Sequence, residues 1–278
     1  MDSTLSAVAK DIPNQLRLLA PPALIGLAGY GYVLTNLCKN KGRVNARTFE
    51  MPDLLVAIVL LGFFGMMTVA NWPNPQTPAP AFNVNQLIPS SMVMLGIAAG
   101  AGGFLAYRGA DVGGMFGLSR TSPLRTIGFA VLFLVAAFPV MEVVSLTGIY
   151  FLGGSAEEQP LITLFRTEAE HGHHSAVIKM LIVGAVLAPI TEEFLFRAFF
   201  YGIFKRYMGA IGAAVTSAAI FGAFHMNLAS LAPLFVFALC LTLAYERTGS
   251  LLTPICMHAL FNSSTLLLLY VQARSVPA

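Results

Sequence analysis

Ala188-Pro189-Ile190-Thr191-Glu192-Glu193-Phe194-Leu195-Phe196-Arg197-Ala198-Phe199-Phe200 lies inside one of the most apolar segments of the chain. The segment, about residues 175 to 205, is long enough to form a helix crossing a bilayer, which takes roughly 20 residues. A carboxylate at the centre of such a helix costs about 2.5–3.5 kcal/mol on insertion scales, so the adjacent Glu192 and Glu193 need compensation or a purpose.

The rest of the chain has the same character. Of 278 residues, 56% are hydrophobic, 10% are charged and 21 are Phe. Soluble domains carry about 25% charged residues, so this composition implies a multi-pass membrane protein. A net charge of +3, from 16 basic and 13 acidic side chains, is too slight and dispersed to serve nucleic acid. Cys38, Cys240 and Cys256 stand in or beside apolar segments and are read as unpaired packing residues. Met1 to Ser3 carry no basic leader, so no cleavable signal is expected.

Hydropathy predicts an all-α, polytopic transmembrane helical bundle of about eight spans. They cover about residues 16–37, 53–71, 88–107, 125–153, 175–205, 209–227, 229–246 and 250–272. No internal repeat or soluble domain is visible. Almost every ionisable or amide group at membrane depth falls after residue 120, which divides the chain into an N-terminal transmembrane accessory region, 1–119, and a region carrying the chemistry, 120–278.

The loops orient this arrangement. Lys39, Lys41, Arg43, Arg47, Arg108, Arg120, Arg125, Lys205, Arg206 and Arg247 all fall on one side of the predicted membrane, against Lys10, Arg17, Arg166 and Arg274 on the other. The excess of basic residues marks the cytoplasmic side and places both termini outside the cytoplasm. The uncharged loop Trp72 to Phe82 and the acidic loop with Glu157, Glu158, Glu168 and Glu170 belong to the outer face.

Helical neighbours differ by about 100° in direction, whereas residues four apart share a face. Glu193 can therefore reach Arg197 as a buried ion pair while Glu192 points elsewhere and faces a cavity. The alternative, two glutamates solvated at a helix end, conflicts with the apolar run that continues from Phe194 to Phe204. Span six carries Phe221-Gly222-Ala223-Phe224-His225, and span eight carries His258-Ala259-Leu260-Phe261-Asn262, whose His258 and Asn262 share a face. From the cytoplasmic ends of their spans, Glu192 and His225 lie roughly 20 and 22 Å deep, and His258 and Asn262 roughly 12 and 18 Å. Four polar side chains from three spans thus occupy similar depths.

Such a set suits peptide hydrolysis. A carboxylate and an imidazole can hold and deprotonate a water, and a second imidazole with a carboxamide can donate hydrogen bonds to the oxyanion of a tetrahedral intermediate. Glu192 with His225 fits the first role, and His258 with Asn262 the second. There is no H-E-x-x-H zinc helix, no Gly-x-Ser-Gly nucleophile segment, and the aspartates Asp2, Asp11, Asp53 and Asp111 stand in loops or at span ends.

Glu192-Glu193-x-x-x-Arg197, Phe221-x-x-x-His225 and His258-x-x-x-Asn262, in that order on three late spans, resemble the motifs of the CAAX prenyl protease and bacteriocin-processing, or Abi-type, family. The resemblance covers about residues 120–272. It implies a glutamate-dependent intramembrane endopeptidase in which Glu192 is the base and His225 positions the water. His258 and Asn262 would stabilise the oxyanion, with Glu193, Arg197 and Phe221 in support. No cofactor is implied; two histidines and a glutamate could ligate zinc, but Asn262 in place of a third strong ligand favours hydrogen bonding. The expected partners are a membrane-associated protein or peptide substrate and the lipid bilayer, without nucleic acid. The expected location is the cell membrane, in a bacterium the inner membrane.

Two other function classes would leave different marks on the sequence. An ion- or proton-coupled transporter would carry intramembrane Glu and His, but would show inverted repeats with broken helices in both halves. A catalytically silent immunity or scaffold protein would show degraded motifs. Among the remaining ionisable groups, Glu142 and Lys179 are read as a structural ion pair in the outer half of the membrane. His171, His173 and His174 form a histidine tract in the outer loop, read as solvated rather than metal-binding.

Overall fold

The computed structural model describes residues 2–40, 42–71, 83–151 and 159–275, with side chains from residue 11 onward. The Trp72 to Phe82 loop, Lys41, Glu157, Glu158 and the Lys10 side chain therefore lie outside the described residues. The described chain is helical, with no strand among the described residues. In hydrocarbon every backbone N–H and C=O must be satisfied within the segment, which leaves the helix as the form open to these apolar runs.

In order, the elements are α1 (Asp2–Asn40), α2 (Met51–Ala70), α3 (Val84–Tyr107), the short α4 (Val112–Met115), α5 (Pro123–Phe151) and the amphipathic α6 (Pro160–Glu170). A continuous helical stretch follows, made of α7 (His174–Ile182), a π-helical turn Val183–Leu187, α8 (Ala188–Glu193), a second π segment Phe194–Phe200 and α9 (Tyr201–Phe224). It is followed by α10 (Leu228–Thr248) and α11 (Leu252–Ser275).

Among the described residues, seven stretches are long and apolar enough to cross a membrane, and one of them, His174–Phe224, runs for 51 residues. A straight helix of that length would measure about 77 Å, more than twice a hydrocarbon core of about 30 Å. The stretch is broken at Gly209, whose φ of 79° and ψ of 171° leave the helical region. Beyond the break the chain returns: Ser217 Oγ donates to the Phe196 carbonyl at 3.0 Å, and the Phe196 and Phe221 rings meet at 5.1 Å between centroids. The single stretch is thus an antiparallel hairpin hinged at a glycine. Counted as two arms, it makes the eight spans read from hydropathy.

The loop ends that carry the basic residues gather at one end of the bundle. Buried Glu246, near the end of α10, accepts from the Arg43 and Val44 amides at 2.8 and 3.2 Å, from the Tyr201 hydroxyl and from the Lys205 ammonium. Lys205 also donates to the Val44 carbonyl at 2.9 Å, and Arg120 to the Arg43 carbonyl at 3.1 Å. Arg108, at the end of α3, pairs with Asp53 and, at 2.5 Å, with Glu50; hydrogen bonding to Asp53 holds its guanidinium above its ordinary range. Asp53 in turn accepts the Glu50 amide at 2.7 Å, closing the first turn of α2. The opposite end joins the starts of α3 and α7 through Lys179, which donates to Asn85 Oδ1 at 3.0 Å.

That last bond corrects one expectation. Lys179 is engaged by an amide rather than by Glu142, and no cation pairs with Glu142 among the described residues. The two residues sit on α7 and α5, and Asn85 on α3 offers a nearer acceptor.

Residues on both sides of position 120 share one core: Phe49, Ala57, Phe64, Ala98 and Leu105 pack with Leu195, Phe199, Phe200, Phe221 and Tyr245. The three cysteines are free. At the basic end Gly117, with φ of 64°, lies so close to the turn after α10 that a Cβ would run into the Gly249 carbonyl oxygen, beside the bond from the Leu251 amide to the Phe116 carbonyl at 3.0 Å. Gly117→Ala is therefore expected to lower stability by about 1–3 kcal/mol, read as a drop in the thermal unfolding midpoint in detergent.

Candidate active site

The two glutamates occupy the end of α8, a helix of 6 residues between two π-helical segments. Widening the turn offsets carbonyls from the usual N–H partners, and such segments recur at functional sites. Both segments use a carbonyl as an acceptor for a neighbouring helix. The Gly184 carbonyl takes Asn262 Nδ2 from α11 at 2.7 Å, and the Phe196 carbonyl takes Ser217 Oγ from α9.

Glu193 and Glu192 have different surroundings. The Glu193 side chain is 0% exposed; its Oε1 lies 3.0 Å from Arg197 Nη1 and 2.8 Å from His258 Nδ1. The Arg197 contact is a pairing of charges by proximity, because none of its N–H groups is aligned as a hydrogen bond. Its guanidinium instead lies over the Phe221 ring at 4.4 Å, a stacking suited to a planar cation. Glu192 is 24% exposed, and its Oε2 stands 4.0 Å from His258 Nε2.

Hydrogen-bond chemistry fixes the imidazole tautomers. An ionised Glu193 can only accept, so His258 Nδ1 carries the proton and Nε2, toward Glu192, keeps a lone pair when the ring is neutral. His225, the residue that ends α9, lies 2.7 Å from the Phe221 carbonyl through Nδ1. A carbonyl also only accepts, so His225 Nε2 is free to accept a proton. The next residue, Met226, has a φ of 49°, an uncommon value for a side-chain-bearing residue.

Phe221 is the hub of the arrangement. Its ring centroid lies 4.7 Å from that of His225 and 6.1 Å from that of His258, while Arg197 covers its face. Phe237 closes on His258 edge-on at 5.5 Å. The structure thus joins Glu192, Glu193, Arg197, Phe221 and His258 in one contact network, brings His225 to it through Phe221, and sets Asn262 one turn further along α11 against Gly184. Of these contacts, the bond from His258 to Glu193, the π segments and the Asn262 anchor were not visible in the sequence. No group of three His, Cys, Asp or Glu side chains converges as metal ligands among the described residues, so the donor set around Glu192 does not fit a zinc site and no metal step is derived.

Residues 174–264, which contain every one of these side chains, match the family described as type II CAAX prenyl endopeptidase Rce1-like. Over this segment the chain is similar to the CAAX prenyl endopeptidases. A protein of Escherichia coli described as "Uncharacterized 24.3 kDa protein" is 34% identical over 155 residues, covering 53% of this chain and 66% of that one. A protein of Bacillus subtilis (strain 168) described as "Putative membrane peptidase YdiL" is 26% identical over 147 residues, covering 52% of this chain and 58% of that one. The chain spans less than two thirds of the length of either relative, 66% of the first and 58% of the second. No solved structure matches at a significant level. The apolar helices, together with this similarity, support a multi-pass membrane protein.

Proposed function

We propose that this protein, similar over residues 174–264 to the CAAX prenyl endopeptidases, is an intramembrane endopeptidase that hydrolyses a peptide bond in a membrane-associated protein or peptide by a glutamate-activated water. The observation that carries the reading is the division of labour between the glutamates. Glu193 is consumed by Arg197 and His258, whereas Glu192 keeps a partly exposed carboxylate beside a free imidazole nitrogen.

In the proposed reaction Glu192, aided by His225 Nε2, removes a proton from water as its oxygen attacks the peptide carbonyl. The oxyanion is met by the second hydrogen of Asn262 Nδ2 and by Nε2–H of a protonated His258. The proton held by Glu192 then passes to the departing nitrogen as the C–N bond breaks, leaving a carboxylic acid and an amine, and the acid's proton moves to the amine to give a carboxylate and an ammonium. Residues 120–278 supply this chemistry, and 1–119 pack against them as the accessory region. The basic end faces the cytoplasm, both termini lie outside it, and the setting is a bacterial cell membrane.

The test is cleavage of a fluorogenic peptide library by the purified protein in bilayers. Because no third ligand converges near Glu192, turnover is expected to persist in excess chelator. Loss of turnover that only zinc restores would overturn the metal-free mechanism.

A further inference from the structure

At the basic end, away from the site, a cavity of about 230 Å³ opens between α1 and the end of α10. Its lining includes Tyr32, Asn36, Asn40, Arg43, Glu246 and Arg247. We propose that this cavity binds the phosphate of an anionic phospholipid from the adjoining leaflet.

Charge is the first argument. The carboxylate in the lining, Glu246, is already held by Lys205, Tyr201 and two backbone amides, so it presents little negative charge to the opening. Arg43 and Arg247 have no carboxylate partner among the described residues. Arg120 adds a third cation and fixes the Arg43 backbone through its bond to that carbonyl. Basic pockets between helices at a membrane surface suit anionic headgroups.

Shape and polarity choose a lipid over a free anion. Asn40, Asn36 and Tyr32 are spaced by four and share one face of α1, and the face continues to Ile25, which is 75% exposed. The surface therefore grades from guanidinium and amide through phenol to aliphatic carbon, the order met along a phospholipid from phosphate to glycerol ester to acyl chain. Tyrosine favours the intermediate level. The cavity is also smaller than the roughly 300–1,000 Å³ of pockets that enclose a drug-sized molecule, so it takes a headgroup while the chains stay in the bilayer.

The test is native mass spectrometry of the full chain in zwitterionic detergent, titrated with phosphatidylglycerol, with phosphatidylcholine, and with inorganic phosphate as competitor. Wild type is expected to retain phosphatidylglycerol in preference to phosphatidylcholine, and excess inorganic phosphate is expected not to displace it. The double variant Arg43→Gln/Arg247→Gln should bind phosphatidylglycerol about 10- to 30-fold more weakly, and Arg43→Lys/Arg247→Lys should stay within a few-fold of wild type. Arg43→Gln alone, on an exposed side chain, should lose about 5-fold and serves as a second variant with minimal risk to folding. Equal binding by wild type and the Gln variants, equal retention of both lipids, or displacement by inorganic phosphate would each overturn the proposal.

Discussion

Glu192→Gln is expected to lower peptide turnover by about 10²–10⁴-fold while leaving the unfolding midpoint within a degree or two of wild type. Glutamine keeps the volume and one hydrogen-bonding oxygen of the side chain and removes only the ability to take a proton. Glu192 makes no hydrogen bond that holds the bundle together, and its side chain is partly open, so the fold has little to lose. The substitution therefore separates chemistry from architecture. A variant that turned over like wild type would exclude Glu192 as the base.

Arg197→Ala is expected to have the largest effect on stability. Arg197 is 1% exposed and lies in charge contact with Glu193. Removing one partner of a buried ion pair costs about 3–5 kcal/mol, because the other charge is left uncompensated, and the stacking on Phe221 is lost with it. The same change loosens His258, whose Nδ1 rests on Glu193, so turnover should fall in the protein that still folds. Arg197→Lys should recover part of the stability, since the charge returns without the flat face that stacks on the ring. Thermal unfolding in detergent reads both effects, and an Arg197→Ala protein as stable as wild type would remove the ion pair from the account.

Much of this arrangement was legible in residue types and spacing. The i to i+4 rule placed Arg197 on Glu193 and left Glu192 free, because it depends only on local helix geometry. The alternation of basic loops located the ends that meet around Glu246, since charge sorting across a bilayer is written directly in composition. What escaped the sequence depends on tertiary packing. Nothing in Val183–Leu187 or Phe194–Phe200 announces a π-helical turn, because such turns form where a neighbouring helix supplies donors such as Asn262 and Ser217. The contact of His258 with Glu193 was equally hidden, since it joins residues 65 apart in sequence. Hydropathy found both arms of the 174–224 hairpin, but the contacts between them depend on the reversal at Gly209. The pairing of Glu142 with Lys179 failed because hydropathy gives depth and not the neighbour, and Asn85 was the neighbour.

The central claim is that two adjacent carboxylates have separate tasks. The most direct measurement compares Glu192→Gln and Glu193→Gln in the same bilayer preparation, recording turnover of one peptide and the thermal unfolding midpoint of each protein. The account predicts that Glu192→Gln is folded and inactive, whereas Glu193→Gln is destabilised, because Arg197 loses its counter-charge and His258 its acceptor. A folded, inactive Glu193→Gln beside an active Glu192→Gln would contradict it.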